Sequence, residues 1–127
     1  MKKFLLSDPK LLLYGFSILF FASYGQTFFI SLFNTEIRIF YNLSDGEFGL
    51  VYAIATLSSS FILISFAKLI DHLDLRIYSF IITLGFLFAC LGMVLLINNV
   101  LYLFLIIFML RFFGQGAMDH AGGTTMA

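Results

Sequence analysis

Apolar residues run in long blocks along this chain, and the polar residues between the blocks set their lengths. Leu11 to Thr35, Phe48 to Ala67 and Ile77 to Leu110 each contain no charged side chain. An α-helix rises about 1.5 Å per residue, so about 20 mainly apolar residues cross a hydrocarbon core roughly 30 Å thick. The first two blocks suit one crossing each. The third would reach about 50 Å as a single helix, so it is expected to fold back on itself, with Asn98-Asn99 as the turn. Spans are thus predicted over about 11–33, 47–68, 77–97 and 100–122, the last with Arg111 inside it. The fold class is an all-α, polytopic transmembrane helical bundle of about four spans.

Local signals refine these bounds. Ser44 and Glu47 have the spacing of a capping box, in which a serine oxygen and a glutamate carboxylate satisfy orphan backbone donors, so the second span should begin close to Asp45. Gly85 and Ala89 form a small-xxx-small pair of the kind that lets helices approach closely in lipid. Lys2 and Lys3 precede an apolar run, as in a signal peptide, but Asp8, Pro9 and Lys10 interrupt the pattern, the run is long and no A-x-A site follows, so the first span is expected to be retained. Cytoplasmic loops collect lysine and arginine. With the N-terminus inside, Lys2, Lys3, Lys10, Lys68 and Arg76 are cytoplasmic and only Arg38 is outside. The connection from Asn34 to Glu47 is then external and the turn from Lys68 to Arg76 internal.

Composition strengthens the lipid reading. Hydrophobic residues make up 61% and charged residues 11% of the 127-residue chain, with a mean hydropathy of +1.05. A soluble domain is roughly a quarter charged. Seven basic and seven acidic side chains balance to a formal charge of +0, so no bulk field draws the chain to nucleic acid. Little sequence is left for a catalytic domain outside the membrane. Cys90 is the single cysteine, which excludes an internal disulfide, and its apolar setting suits packing between helices. His72 and His120 alone supply no metal ligand set. No phosphate-cradling glycine loop or hydrolase nucleophile motif is present, so neither a cofactor nor covalent chemistry is expected.

Polar residues inside the spans are the candidates for function. Ser23, Gln26, Thr27 and Asn34 fall on one face of the first span on a helical wheel, and Tyr52, Thr56, Ser59 and Ser60 form a comparable stripe on the second. Interhelical hydrogen bonding and a solute pathway explain these stripes equally well; the bulk and several hydrogen-bonding groups of Gln26 favour a cavity there. Arg111 is the strongest signal, because a charge at mid-bilayer costs about 2.5 to 3.5 kcal/mol even on a lenient scale and such residues usually face a bundle interior or wet cavity. Snorkelling from a span end is the alternative. Gln115, four residues on, is expected to share its face. Asp119 and His120 lie further along the same helix.

The turn after the second span reads Ala67-Lys68-Leu69-Ile70-Asp71-His72-Leu73-Asp74-Leu75-Arg76. It resembles the signature of the major facilitator superfamily, roughly G-x-L-A-D-R-x-G-R-K, with Leu69, Asp71 and Arg76 matching and Ala67, His72, Asp74 and Leu75 departing. Arg111-Phe112-Phe113-Gly114-Gln115-Gly116 is similar to that family's fourth-span R-x-x-x-G-x-G pattern, with the first glycine one position early. Gly25 to Phe33, then Leu43-Ser44 and Glu47-Phe48-Gly49, are similar to the corresponding sequences of a group of bacterial members. The resemblance implies twelve spans in two six-span halves around a central site. Leu69, Asp71 and Arg76 would then belong to a conformational turn motif, and Arg111 would be associated with coupling.

The expected activity is secondary transport of a small solute across a bacterial cytoplasmic membrane by alternating access, with Gln26, Tyr52, Arg111 and Gln115 along the substrate pathway. The partners are the lipid bilayer, the solute, a coupling proton or other ion, and the remaining spans that the family pattern would place outside this chain, which is read as a fragment. Two rivals stand. A complete four-span dimeric transporter of the small multidrug resistance type needs an acidic residue in its first span, which this sequence lacks. A non-transporting membrane subunit would instead spend its polar stripes on protein contacts.

Overall fold

The computed structural model describes residues 9–68, 72–95 and 97–126, and among these the chain is predominantly helical with no strand. Helix α1 spans Pro9–Ala22, a single 3-10 turn covers Ser23–Gly25, and α2 (Thr27–Leu32) and α3 (Asn34–Tyr41) follow. Helix α4 is Asp45–Ala67, α5 is Leu75–Val94 and α6 is Val100–Met109. The last continues through a π-helical segment, Leu110–Met118, into α7, Asp119–Met126. Among the described residues, four helical stretches are long and apolar enough to cross a membrane: Pro9–Leu32, Asp45–Phe66, Leu75–Val94 and Val100–Thr125.

The starts of the helices follow from their flanking residues. Ser44 Oγ accepts from Glu47 N at 3.3 Å while Ser44 N donates to the Glu47 carboxylate at 2.8 Å, so the expected capping box opens α4 at Asp45. Residues Ile97 to Asn99 leave the helical path, and Asn99 Oδ1 accepts from Leu101 N at 2.8 Å, capping α6 where the turn is expected. Two features differ from the sequence reading. The connection after the first span is not merely a loop, because Asn34–Tyr41 forms α3, whose Ile37 and Tyr41 pack with Phe48, Ala55, Leu103 and Ile107. This helix ends on Asn42 in the left-handed region (φ 53), a conformation asparagine tolerates.

The second difference is in the first span. It is broken, since Gln26 is extended (ψ 153) between the 3-10 turn and α2. A single helical wheel therefore does not describe Ser23 to Asn34. The break sits where the first and fourth spans touch backbone to backbone. A Cβ on Gly25 would lie 2.6 Å from Leu110 O and 2.8 Å from Gly114 Cα, so only glycine permits the approach. The buried residues of α1, Gly15, Ile18 and Ala22, meet the fourth span along the same line, with Gly122 set against Leu19.

The fourth span is the central helix of the bundle and the other three spans pack around it. Its buried residues Ile106, Leu110, Ala117, Met118 and Ala121 join Tyr78, Ile82, Phe86 and Ala89 of α5 and Ile18 and Ala22 of α1 in one core. The pair Gly85 and Ala89 serves this packing, because the Phe113 ring lies where a Cβ on Gly85 would be. On the outside, Leu50, Leu57, Phe61 and Ile64 of α4 are all exposed. Unbroken apolar surface of this kind is covered by lipid, and the protein is membrane-embedded.

Candidate functional site

Three spans bring polar side chains to one place. Arg111 projects from the π-helical segment and is 8% exposed. Its Nη1 donates to Thr27 Oγ1 at 2.8 Å, at the start of α2. From α4, the Tyr52 hydroxyl donates to the same oxygen at 3.0 Å, and the guanidinium carbon lies 5.3 Å from the centre of the Tyr52 ring. A cation over an aromatic face gains from the ring quadrupole, by about 2 kcal/mol or more where water is excluded. The break in the first span is what turns Thr27 to this position, and the π-helical segment is what carries Arg111. Wide helical turns of this kind recur at functional sites.

The electrostatics of this cluster are incomplete. Among the described residues the one ion pair joins Arg38 to Asp45, and no carboxylate lies within 4.0 Å of Arg111. Arg111 Nε is buried with no hydrogen-bond partner, and so is Gln115 Oε1. A guanidinium has five N–H donors. Among the described residues one of them is engaged, on a neutral hydroxyl. Thr27 is exposed, and Tyr52 and Gln115 are half-buried, so the cluster is open on one side.

Gln26 goes elsewhere. Its Nε2 donates to Asp119 Oδ2 at 2.7 Å, tying the extended residue of the first span to the end of the π-helical segment. The structure thus brings Tyr52 and Arg111 together through Thr27, gives Gln26 a different partner, and leaves Gln115 with no hydrogen bond to Arg111. Thr27 and Asp119 are the residues that sequence reasoning did not single out as site members. Thr27 was visible only as part of a stripe, and nothing local in the sequence signals the Gln26 partner. Of the second-span stripe, Ser59 and Ser60 both bond back to Thr56 O, at 2.8 and 2.9 Å, which leaves Tyr52 as the member that reaches another helix.

Of the turn motif, Leu69 and Asp71 lie outside the described residues, and Arg76 is exposed in the first turn of α5. His72 and His120 are exposed, and no cluster of metal-ligating side chains occurs among the described residues. A cavity of about 550 Å³ opens between α2, α3, α5 and Leu110; its walls are mostly apolar, with Glu36, Tyr24, Tyr41 and Cys90 as the members that carry polar groups. Comparison with known proteins adds no identity: no family model matches the sequence, and no curated protein or solved structure matches it.

Proposed function

We propose that this four-span bundle serves secondary transport of the major facilitator type, moving a small solute across the bacterial cytoplasmic membrane by alternating access. The observation that carries the reading is Arg111. A guanidinium deep in a membrane bundle, held by neutral groups from two other spans and still short of partners, is costly as mere packing and useful as a solute contact. The solute pathway in this reading runs along the open side of the cluster, past Thr27, Tyr52 and Gln115. The broken first span supports it, because transporters place their binding sites at interrupted helices near the bilayer midplane. Gln26 then acts through Asp119 as a positioning residue that holds the break in place. In this reading the N-terminus and the turn carrying Arg76 face the cytoplasm.

Cysteine accessibility in membranes tests the pathway. With Cys90 replaced by alanine, cysteines at Thr27, Tyr52 and Gln115 should react with a small water-soluble thiol reagent. Cysteines at the lipid-facing Phe61 and Leu91 should not. Reaction at none of the first three would support the non-transporting subunit and defeat the transport reading.

A further inference from the structure

The cavity between the first and third spans joins one carboxylate to a wall of aromatic rings. Tyr24, Phe29 and Phe33 meet edge to face, with ring centres 5.0 and 5.5 Å apart, and Phe40 and Tyr41 of α3 meet in the same way at 5.0 Å. All five line the cavity. Phe33, Glu36 and Phe40 recur at helical spacing, so one side of α3 brings the carboxylate to the rings. Ile30 and Leu110 are buried at the floor, whereas Glu36, Phe33 and Phe40 are exposed, which puts the carboxylate at the mouth with apolar surface below it.

Charge selects the occupant. Glu36 is the one charged residue of the lining. Arg38, two positions on, is paired with Asp45, and no other ion pair occurs among the described residues. An anion would meet a carboxylate and no cation. A sugar or nucleotide would need many hydrogen-bonding groups, which these walls do not supply. An organic cation with an apolar body uses everything present, since its charge is attracted by the carboxylate and by the faces of aromatic rings. The volume of about 550 Å³ falls within the roughly 300–1,000 Å³ of small-molecule sites.

We propose that this cavity binds an amphipathic organic monocation, a substituted ammonium with an apolar body, with its charge at Glu36 and its body against Tyr24, Phe29 and Phe33. The occupant is a free molecule and not a lipid headgroup, because a zwitterionic headgroup brings a phosphate beside its ammonium and no basic residue of the lining receives it. The cavity shares no lining residue with the cluster of Arg111, Thr27 and Tyr52, so binding here and solute uptake fail separately.

The probe is benzyltrimethylammonium, titrated by equilibrium dialysis onto the purified chain in nanodiscs of an uncharged glycolipid. Cys90 lines the cavity and is the single cysteine, so its alkylation by N-ethylmaleimide, read by mass spectrometry, locates the ligand. The expected result is saturable binding at a single site, with Cys90 alkylation slowed in parallel. Glu36→Gln should weaken binding about tenfold, the loss of one partly screened charge pair. Phe33→Leu should weaken it about threefold, the loss of one ring beside a cation, and Ser60→Ala should leave it unchanged. The anion 3-phenylpropionate, similar in body and opposite in charge, should not compete. Absence of saturable binding, or binding indifferent to Glu36→Gln, overturns the proposal. Competition by phenylpropionate does so too, because the cavity then takes any apolar body. Binding that is present in glycolipid and lost in phosphatidylcholine nanodiscs makes a headgroup the occupant and overturns the free cation. Binding with undiminished Cys90 alkylation places the cation elsewhere and overturns the site. Should Cys90 resist the maleimide throughout, the affinities of Glu36→Gln and Phe33→Leu decide alone.

Discussion

Thr27 Oγ1 accepts from Arg111 and from Tyr52, so a single oxygen joins three spans. Removing it in Thr27→Val leaves the buried Arg111 short of a partner, at a cost of about 1–3 kcal/mol, while the Tyr52 hydroxyl, whose bond is exposed, can turn to water; unfolding in sodium dodecyl sulfate should show a loss in that range. An unchanged denaturation midpoint would mean that water replaces the hydroxyl. Gln26 and Asp119 allow a double-mutant cycle, with Gln26→Leu, Asp119→Leu and the pair. The expected coupling is about 0.6 to 1.7 kcal/mol, from the average to the maximum found for hydrogen bonds between membrane helices. Zero coupling would contradict the contact. Arg111 was legible in the sequence because a charge in an apolar run stands out whatever the fold. The partner of Gln26 was not, because a helical wheel orders residues around one axis and is silent about which neighbouring helix they meet.

The elements were legible where their signals are local. The capping box at Ser44 and Glu47 and the turn ending at Asn99 depend on residues within one helical turn, and both occur. Helix α3 carried its own signal in Ile37 and Tyr41, four positions apart on one face, but a search for long apolar blocks passes over eight residues with a polar side. The break at Gln26 had no local signal. It depends on Gly25 meeting Gly114, residues remote in sequence that only the packed bundle brings together. Substitution separates this contact from helix propensity. Gly25→Ala places a methyl against Leu110 O and should destabilise the bundle by about 1–3 kcal/mol, the usual cost of overpacking. Gly49→Ala, with nothing within 4 Å of its Cβ, should instead stabilise α4 by up to about 1 kcal/mol. Equal effects at the two positions would show that the first and fourth spans do not touch as described.

For the bundle as a whole, the apolar exterior requires lipid, and the distribution of basic residues sets the expected orientation. Cysteines placed at Asp45 and at His72, with Cys90 replaced, should differ in intact cells: an impermeant thiol reagent labels Asp45→Cys and spares His72→Cys. The reverse pattern would invert the topology. Four packed helices and a class of fold could be read from apolar block lengths alone, because crossing a bilayer fixes length and composition together. The cluster of Arg111, Thr27 and Tyr52 could not, since it is defined by how the spans face one another. The proposed transport is tested most directly by flux: uptake of a panel of radiolabelled small solutes into membrane vesicles from cells producing the protein, compared with Arg111→Gln at matched membrane abundance. The expected result is saturable uptake of at least one solute, reduced about tenfold or more by the substitution, since a lost charged hydrogen bond is worth about that factor. Uptake of every solute at the rate of vesicles lacking the protein, or uptake indifferent to Arg111→Gln, would contradict it.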